Sequence, residues 1–268
     1  MKKLFLFLIG SMLLLTATAQ NESKSKKEKR REERRQRINE IARQEEEGVI
    51  KYKKHFVFGG KLTNDGYGGF LEMARAQSVK KSLLFQFEIT ERKHQKEEKI
   101  QAISDFNTTP FIFGKINFFY PVKIGVQQQF LLGNKGNKNG VSVTANVGGG
   151  LSIAMLRPYQ IQINDGSGTL KYISYEADSA AYVNAYLNND IVSGPSFGKG
   201  WGGVKFTPGI YLKPAVRFDY GQYNEMVNAI EVGLTAEFYS KKVNLMLDQK
   251  QKQFYFSAYV AIVLGRRK

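Results

Sequence analysis

The most reactive candidate in this 268-residue chain is a histidine at the start of a long polar segment. His94 is followed in that segment by Ser104 and Asp105, and a histidine, a serine and an acid can together form a hydrolase site. The competing interpretation is a solvated loop residue, because lysines and glutamates surround His94 at 93 and 96–98. No nucleophile elbow accompanies the three residues, so the sequence favours the loop residue.

Ionisable side chains also recur in the middle of segments that otherwise alternate between apolar and polar residues. Acid–base chemistry is one use for such groups, and a closed network of ion pairs filling a protein interior is the other. We predict the second, with an interior charge network of Glu72, Glu88, Lys123, Arg217, Glu231 and Glu237. Asp65 and Asp105 do not form a metal-ligand spacing, and the sequence contains no phosphate loop. We therefore predict no catalytic, cofactor-binding or metal-binding residues, and no cofactor.

A third set of candidates lies in a long insertion, 157–205, which is rich in Gly, Ser, Asn and Tyr. Exposed aromatic side chains suit contact with a protein or glycan surface. Alternatively, they pack among themselves as a rigid cap or cluster near a lipid headgroup boundary. The candidate loop contacts are Tyr159, Tyr172, Tyr175, Tyr182, Tyr186 and Trp201.

The elements that must position these residues are strands, because apolar side chains recur with period two. The last segment, 254–265, is the plainest: its even-numbered residues are all apolar, and no charge appears before Arg266. Its length suits a tilted strand that crosses a bilayer. The predicted strands are 55–63, 67–75, 81–92, 116–132, 141–155, 206–220, 226–242 and 254–265.

The connections between these eight segments differ in length on the two sides of the predicted sheet. Counted in chain order, the second, fourth and sixth connections (76–80, 133–139 and 221–225) are short. The odd-numbered connections include the two long ones, 93–115 and 157–205. An even strand number with short turns on one side is typical of outer-membrane barrels. A soluble sandwich or lipocalin-like barrel would bury its apolar face inward. Charges in mid-strand on the polar faces favour the opposite arrangement, an all-β, eight-stranded antiparallel transmembrane β-barrel.

The N-terminal region predicts export. A positive start, Met1-Lys-Lys3, precedes an apolar stretch, 4–15, and the small-x-small pattern Ala17-Thr-Ala19, so residues 1–19 are predicted to be a signal peptide. Residues 20–50 are predicted to be a charged periplasmic extension, and 51–268 the barrel. The extension suits a partly helical, solvated tail without a specific partner, and the alternative is a tail that docks on an anionic polymer or lipid.

The overall charge and the missing cysteines exclude several classes of function. Lys and Arg number 40 against 24 Asp and Glu, a net charge of +16 that could indicate nucleic acid. An exported protein does not meet cytoplasmic DNA, so no nucleic-acid partner is predicted. Because Cys is absent, disulfides, zinc–thiolate sites and a lipid-bearing Cys are excluded.

Several short motifs lie along the predicted barrel: GKINFFY at 114–120, LGNKGNKNGV at 132–141, GGGLSI at 148–153 followed by LRPY at 156–159, TPGIY at 207–211, and VLGRRK at 263–268. With them the sequence resembles a family of small outer-membrane β-barrel proteins common in Bacteroidetes, within the eight-stranded class that includes OmpX and the OmpA transmembrane domain. The resemblance covers about residues 50 to 268 and implies no reaction. The C-terminus departs from the terminal aromatic residue usual in proteobacterial barrels.

The predicted function is a non-enzymatic outer-membrane barrel whose outer loops, especially 157–205, bind a partner or shield the envelope. A small-solute, porin-like channel and a lipid-modifying enzyme that uses His94 at the outer rim are the alternatives. The predicted surroundings are outer-membrane lipid and lipopolysaccharide, with an extracellular protein or glycan at the long loops. The chain is expected to be a monomer with both termini in the periplasm.

Overall fold

The computed structural model describes residues 28, 30–36, 39, 54–78, 80–100, 109–135, 140–164, 168–196, 198–221 and 226–267. The chain divides into two units, Met1–Lys51 and Tyr52–Lys268. In the first unit, residues 30–36 are helical and exposed, whereas the predicted signal peptide lies outside the described residues. Among the described residues, no helix is both long and apolar enough to span a membrane.

The second unit is built almost entirely of strands. They are β1 (Lys54–Thr63), β2 (Gly66–Ser78), β3 (Lys81–Arg92), β4 (Lys99–Ile100), β5 (Phe111–Ile112), β6 (Asn117–Gly133), β7 (Ser142–Pro158), β8 (Gln160–Asn164), β9 (Leu170–Ser174), β10 (Ile191–Ser193), β11 (Lys205–Asp219), β12 (Met226–Val243) and β13 (Lys252–Arg267). One α-helix, α1 (Ser179–Asn188), and a 3₁₀ turn (Trp201–Gly203) lie between β9 and β11.

Eight of these strands form a closed antiparallel barrel in the order β1-β13-β12-β11-β7-β6-β3-β2. Each strand pairs with its neighbours in the chain, so the topology is up-and-down. β13 closes the ring against β1, with a register that runs from His55↔Arg267 to Thr63↔Tyr259. The eight predicted strands and the closing pair are therefore confirmed.

The barrel strands are inverted relative to a soluble protein, with apolar side chains outside and polar ones inside. In β13, for example, Phe254, Phe256 and Ile262 are more than half exposed, whereas Ser257 and Tyr259 are buried. The same alternation runs through all eight strands, because successive side chains of a strand point to opposite faces. The lumen is thus the polar side of the sheet.

Two segments predicted as irregular connections contain regular structure. The first long connection carries the short β4–β5 pair. The second carries α1 and a three-stranded sheet in the order β10-β8-β9. Their strands span only two to five residues, too few for an alternation to stand out in the sequence.

Glycines allow the barrel wall to approach other groups closely at two places. In β7, a Cβ at Gly150 would lie 2.2 Å from the Ile124 carbonyl oxygen, and the register with both neighbours runs through this point unbroken. At Gly150, β7 therefore approaches its neighbour closely without an irregularity in the pairing. In β1, a Cβ at Gly59 would lie 2.4 Å from Phe70 Cζ and 2.4 Å from the Ile262 carbonyl oxygen, while Gly60 has open space.

Gly59→Ala is expected to destabilise the barrel by about 1–3 kcal/mol, because the added methyl group collides with the Phe70 ring and with β13. Gly60→Ala is the matched control, since the neighbouring position faces outward with nothing within 4 Å. Urea titration of the two folded proteins measures the difference. Equal unfolding midpoints for the two variants would contradict the packing described at Gly59.

Candidate functional site

The lumen is crossed by an arginine that pairs with a glutamate on the opposite wall. Arg217 lies on β11 and Glu72 on β2, four strands apart in the ring of eight. The guanidinium donates two parallel hydrogen bonds of 2.8 Å to the two carboxylate oxygens of Glu72. It also donates to Glu231 Oε2 at 2.6 and 2.8 Å. This fork geometry is the strongest form of a charge-assisted pair, and it holds three strands together across the barrel.

A second brace crosses the lumen nearer the long loops. Arg92 of β3 pairs with Glu237 of β12, again on the opposite wall, at 3.1 Å. Lys123 lies 2.7 Å from Glu237 and 2.9 Å from Glu88. Lys61 joins the same Glu88 at 2.8 Å. Each carboxylate is thus shared by cations from different strands.

Lys213 connects the two braces. Its ammonium lies 3.1 Å from Glu231 and 3.8 Å from Glu88. Tyr259 donates to Glu231 at 2.7 Å, and Tyr239 donates to Glu237 at 2.5 Å. Ion pairs and hydrogen bonds therefore link the brace at Glu72 to the brace at Glu237 without a break.

The network is buried and balanced in charge. None of its four glutamates and five cations is more than 5 % exposed. With Asp65, which lies 2.8 Å from Arg92, five carboxylates face five cations. The cations are Lys61, Arg92, Lys123, Lys213 and Arg217, and the carboxylates are Asp65, Glu72, Glu88, Glu231 and Glu237.

The structure brings all six sequence-predicted interior residues into this one network. The prediction from sequence did not include Lys61, Arg92 or Lys213 in the network. The signal was present, because Lys61 alternates with the outward Phe58, Gly60 and Leu62. Every carboxylate is occupied by cations, so the arrangement suits cross-linking of the wall better than proton transfer.

At the end of the barrel that carries the long connections, these connections form hydrogen bonds with one another and make up a cap. Tyr159 N–H donates to the Ile116 carbonyl, and Ile116 N–H donates to the Leu245 carbonyl. Leu247 N–H donates to the Gly114 carbonyl in the same region. The cap thus joins the connections that follow β3, β7 and β12.

The cap has its own hydrophobic core, which corrects part of the predicted contact surface. Tyr159 and Tyr182, predicted as candidate loop contacts, are 2 % and 0 % exposed and cannot reach a partner. Their hydroxyls bond inside the cap: Tyr159 accepts from Ile112 N–H at 2.8 Å, and Tyr182 donates to the Lys115 carbonyl at 2.5 Å. Burial raises the pKa of Tyr159 to about 12 and raises the pKa of Tyr182 as well. The core consists of Phe111, Ile112, Tyr159, Ile161, Ile173, Tyr182, Ala185 and Ile191.

The other four predicted contacts lie at the surface of the cap or along its edge. Tyr172, Tyr175 and Tyr186 are half-buried, and Trp201 is 51 % exposed. Tyr186 donates to Asp248, which ties α1 to the connection after β12. Tyr175 packs edge-on against Tyr182. The interpretation of a rigid cap therefore describes most of these aromatics.

A buried ion pair joins the two ends of the first long connection within the cap. Lys115 Nζ lies 2.6 Å from Glu97 Oε2 and 4.4 Å from the centre of the Phe118 ring. Burial lowers the pKa of Lys115, and the Glu97 carboxylate opposes that change.

His94 belongs to the same turn as Glu97. Its backbone N–H donates to Glu97 Oε1 at 2.9 Å, and its Nδ1 accepts from Lys96 N–H at 3.3 Å. Partial burial lowers the pKa of the imidazole. Ser104 and Asp105 lie outside the described residues, so the hydrolase trio stays an untested hypothesis. Within the described part of the chain, no group of three His, Asp or Glu side chains is arranged to hold a metal ion.

The strand order and register decide the fold. The described chain is an eight-stranded up-and-down barrel with a structured cap. No protein-family model matches it, and no curated protein matches it either.

Three solved structures share a low-scoring likeness with the chain. The chain is 8 % identical to Neisserial surface protein A, with 80 % of this chain and 96 % of that chain covered and a TM-score of 0.38. It is 9 % identical to Ail, the attachment invasion locus protein of Yersinia pestis, with 82 % and 100 % covered and a TM-score of 0.38. It is 9 % identical to the N-terminal β-barrel domain of Pseudomonas aeruginosa OprF, with 80 % of this chain and 98 % of that chain covered and a TM-score of 0.34. Scores this low carry no functional inference.

Arg217→Met is expected to lower the free energy of unfolding by about 3–5 kcal/mol, because it leaves Glu72 and Glu231 without their shared counter-charge. Adding Glu72→Gln to this variant should recover part of the loss, since one uncompensated charge is then removed. Arg75→Met, on the exposed face of the same strand as Glu72, is the control and should change stability by no more than about 0.5 kcal/mol. Urea unfolding gives the values, and a loss for Arg217→Met no larger than the control's would refute the brace.

Tyr182→Phe is expected to loosen the cap without opening the barrel, because it removes the hydrogen bond to the Lys115 carbonyl at a cost of about 1 kcal/mol. Limited proteolysis should cut the cap several times faster while the barrel fragment stays intact. Tyr172→Phe is the control, since its hydroxyl bonds to Ser196 at the exposed surface. Equal cleavage rates for the two variants would show that Tyr182 does not hold the cap.

Proposed function

We propose that the chain is a non-enzymatic β-barrel of a bacterial outer membrane, whose cap binds an extracellular partner or shields the envelope. The observation that carries the proposal is the inverted barrel, apolar outside and ion-paired inside. A closed barrel satisfies every strand edge within the ring, which is the condition for crossing hydrocarbon with strands. The apolar side chains of the outer face suit contact with lipid and are unfavourable in contact with water.

The outer face carries a continuous band without charge. Charges on that face occur only at its ends: Lys54, Arg75, Lys81 and Arg266 on the short-turn side, and Glu91, Arg157, Lys242 and Lys252 on the cap side. Between them lie exposed Phe, Leu, Ile, Val and Met side chains, such as Phe85, Ile124 and Leu212. An exposed apolar surface of this extent is not left to water in monomeric soluble proteins. The apolar band therefore supports a barrel that spans a membrane.

The lumen supports a structural barrel more than a channel. In an eight-stranded barrel the interior is just wide enough for side chains to fill it. Arg217 and Arg92 each reach a glutamate on the opposite wall, so the braces occupy the diameter at two levels. Above them, Phe119, Tyr239, Leu245 and Met246 pack together at the base of the cap. A solute would have to break these contacts to pass.

The cap is the best candidate surface for a partner. It is held by its own hydrophobic core and by hydrogen bonds between connections, so it is already ordered before binding, which reduces the entropic cost of association. Leu170 and Leu187 are 50 % and 70 % exposed on it, and Tyr172 is half-buried. A protein or glycan surface suits this mixture of apolar and hydroxyl groups. We place the cap outside the cell and the short turns in the periplasm, because longer loops face outward in outer-membrane barrels.

Three measurements on the exported protein test the proposal. The protein should fractionate with outer membranes, and heated and unheated samples should migrate differently on a denaturing gel, because a folded barrel resists the detergent. Protease added to intact cells should cut only in the cap. Fractionation into a soluble compartment without a heat-dependent shift would end the membrane proposal.

Conductance of reconstituted vesicles separates the structural barrel from the channel. The native protein should show no conductance above that of protein-free vesicles, because the braces fill the lumen. Single-channel steps from the native protein would replace the structural role with the channel alternative, while the membrane placement would stand.

A further inference from the structure

One arginine on the outer face is surrounded by aromatic rings at the cap-side edge of the apolar band. The Arg157 guanidinium carbon lies 4.0 Å from the centre of the Phe118 ring, 5.0 Å from that of Trp201 and 5.7 Å from that of Tyr120. Trp201 and Tyr120 stack at 6.0 Å with nearly parallel planes. The rings therefore fix the position of the guanidinium.

Arg157 has no paired carboxylate among the described residues. Its Nε is buried without an acceptor, so the two terminal nitrogens of the guanidinium, which are neither buried nor hydrogen-bonded to a described residue, are the groups that face an external ligand. Lys205, at the start of the adjacent strand β11, is by contrast paired with Glu176 at 2.8 Å. The hydroxyl of Tyr120 and the indole N–H of Trp201 also have no hydrogen-bond acceptor among the described residues. Three donors of one small patch are thus left for an external acceptor.

The strand register places this patch directly above the lipid-facing band. Arg157 pairs with Phe118 across β6 and β7, and the next outward rows toward the short turns are Tyr120↔Met155 and Val122↔Ile153. A ligand with an anionic head at Arg157 can therefore lay apolar chains along Val122, Ile153 and the rows beyond. A guanidinium held by rings has lost little freedom that binding would still remove, and it suits bidentate recognition of phosphate.

We infer that Arg157, Tyr120 and Trp201 form a binding site for the phosphate group of an anionic lipid in the cap-side leaflet. The inference rests on the proposed placement of the barrel in a membrane. The continuity of the patch with the apolar band selects a lipid over free phosphate, because the two parts of the surface match the two parts of one molecule. The acids that act on Tyr120 are Glu91 and Glu97. They are already bound, by the Tyr67 hydroxyl and by Lys115 respectively. The charge of Arg157 is therefore left without a paired carboxylate among the described residues, which selects an anion over a zwitterion or a sugar.

Trp201 is the only tryptophan of the chain and reports on the site directly. The folded full-length protein is placed in micelles of a non-ionic sugar detergent, which carry no phosphate, and titrated with phosphatidic acid. Trp201 fluorescence should change in a saturable way. Diacylglycerol with the same acyl chains should give no saturable change, and neither should inorganic phosphate in the buffer.

Arg157→Gln should weaken the response to phosphatidic acid by about tenfold, as expected for the loss of one charge-assisted hydrogen-bonding group at a partly exposed site. Arg75→Gln is the matched control, because Arg75 lies on the same outer face at the opposite edge of the band. It should bind like the native protein. Arg157→Lys keeps the charge without the planar fork and should fall between the two.

The outcomes separate this inference from the proposed function. A protein that folds with a heat-dependent gel shift but responds alike to phosphatidic acid and diacylglycerol, or alike in Arg157→Gln and Arg75→Gln, overturns the lipid site and leaves the membrane barrel intact. A response to inorganic phosphate without lipid would show that the site binds free phosphate, and it would overturn the proposal of a lipid ligand. If Arg157→Gln does not fold, the Arg157→Lys variant decides, and native-like affinity in it contradicts the proposed fork.

Discussion

Compensation of charge inside a narrow lumen is the constraint on which the barrel depends. An ion moved from water into a protein interior loses several kcal/mol of solvation, and only close counter-charges and hydrogen bonds return it. The network inside the ring of eight strands contains five cations and five carboxylates, and each of these carboxylates is in contact with at least one cation. Because the pairs Arg217–Glu72 and Arg92–Glu237 join opposite walls, contacts that neutralise charge also set the width of the barrel.

This arrangement makes the inside of the barrel specific, whereas the outside needs only to be apolar. The outer band tolerates many combinations of Phe, Leu, Ile and Val, since lipid has no fixed shape. The lumen does not, because Arg217 must meet both Glu72 and Glu231 with its fork in one plane. Buried ionic networks are a weak source of stability, but a register slip of one residue would turn these charges toward the outer face. We therefore interpret the network as a device that selects one register.

The cap extends the same principle at the other end of the strands. Tyr159 and Tyr182 satisfy their hydroxyls within it, Lys115 is paired with Glu97, and a small apolar core fills the space between. A cap of this kind closes the lumen with Phe119 and Tyr239 below it and presents a preformed surface above it. Arg157, held among aromatic rings, has no paired carboxylate among the described residues, and it lies where a phosphorylated lipid can supply the counter-charge.

The sequence by itself determined the strands, their order and the two faces of the wall. Period-two alternation over ten to eighteen residues leaves little ambiguity, and the predicted interior charges Glu72, Glu88, Lys123, Arg217, Glu231 and Glu237 all lie in the lumen. Only the tertiary structure decided which charge meets which, because a partner four strands away in the ring leaves no mark on local spacing. For the same reason it alone decided that Tyr159 and Tyr182 are core residues of a cap and not contacts of a loop. Strands of two to five residues and a single short helix carry no periodicity of their own, so their packing against one another determines where those tyrosines lie.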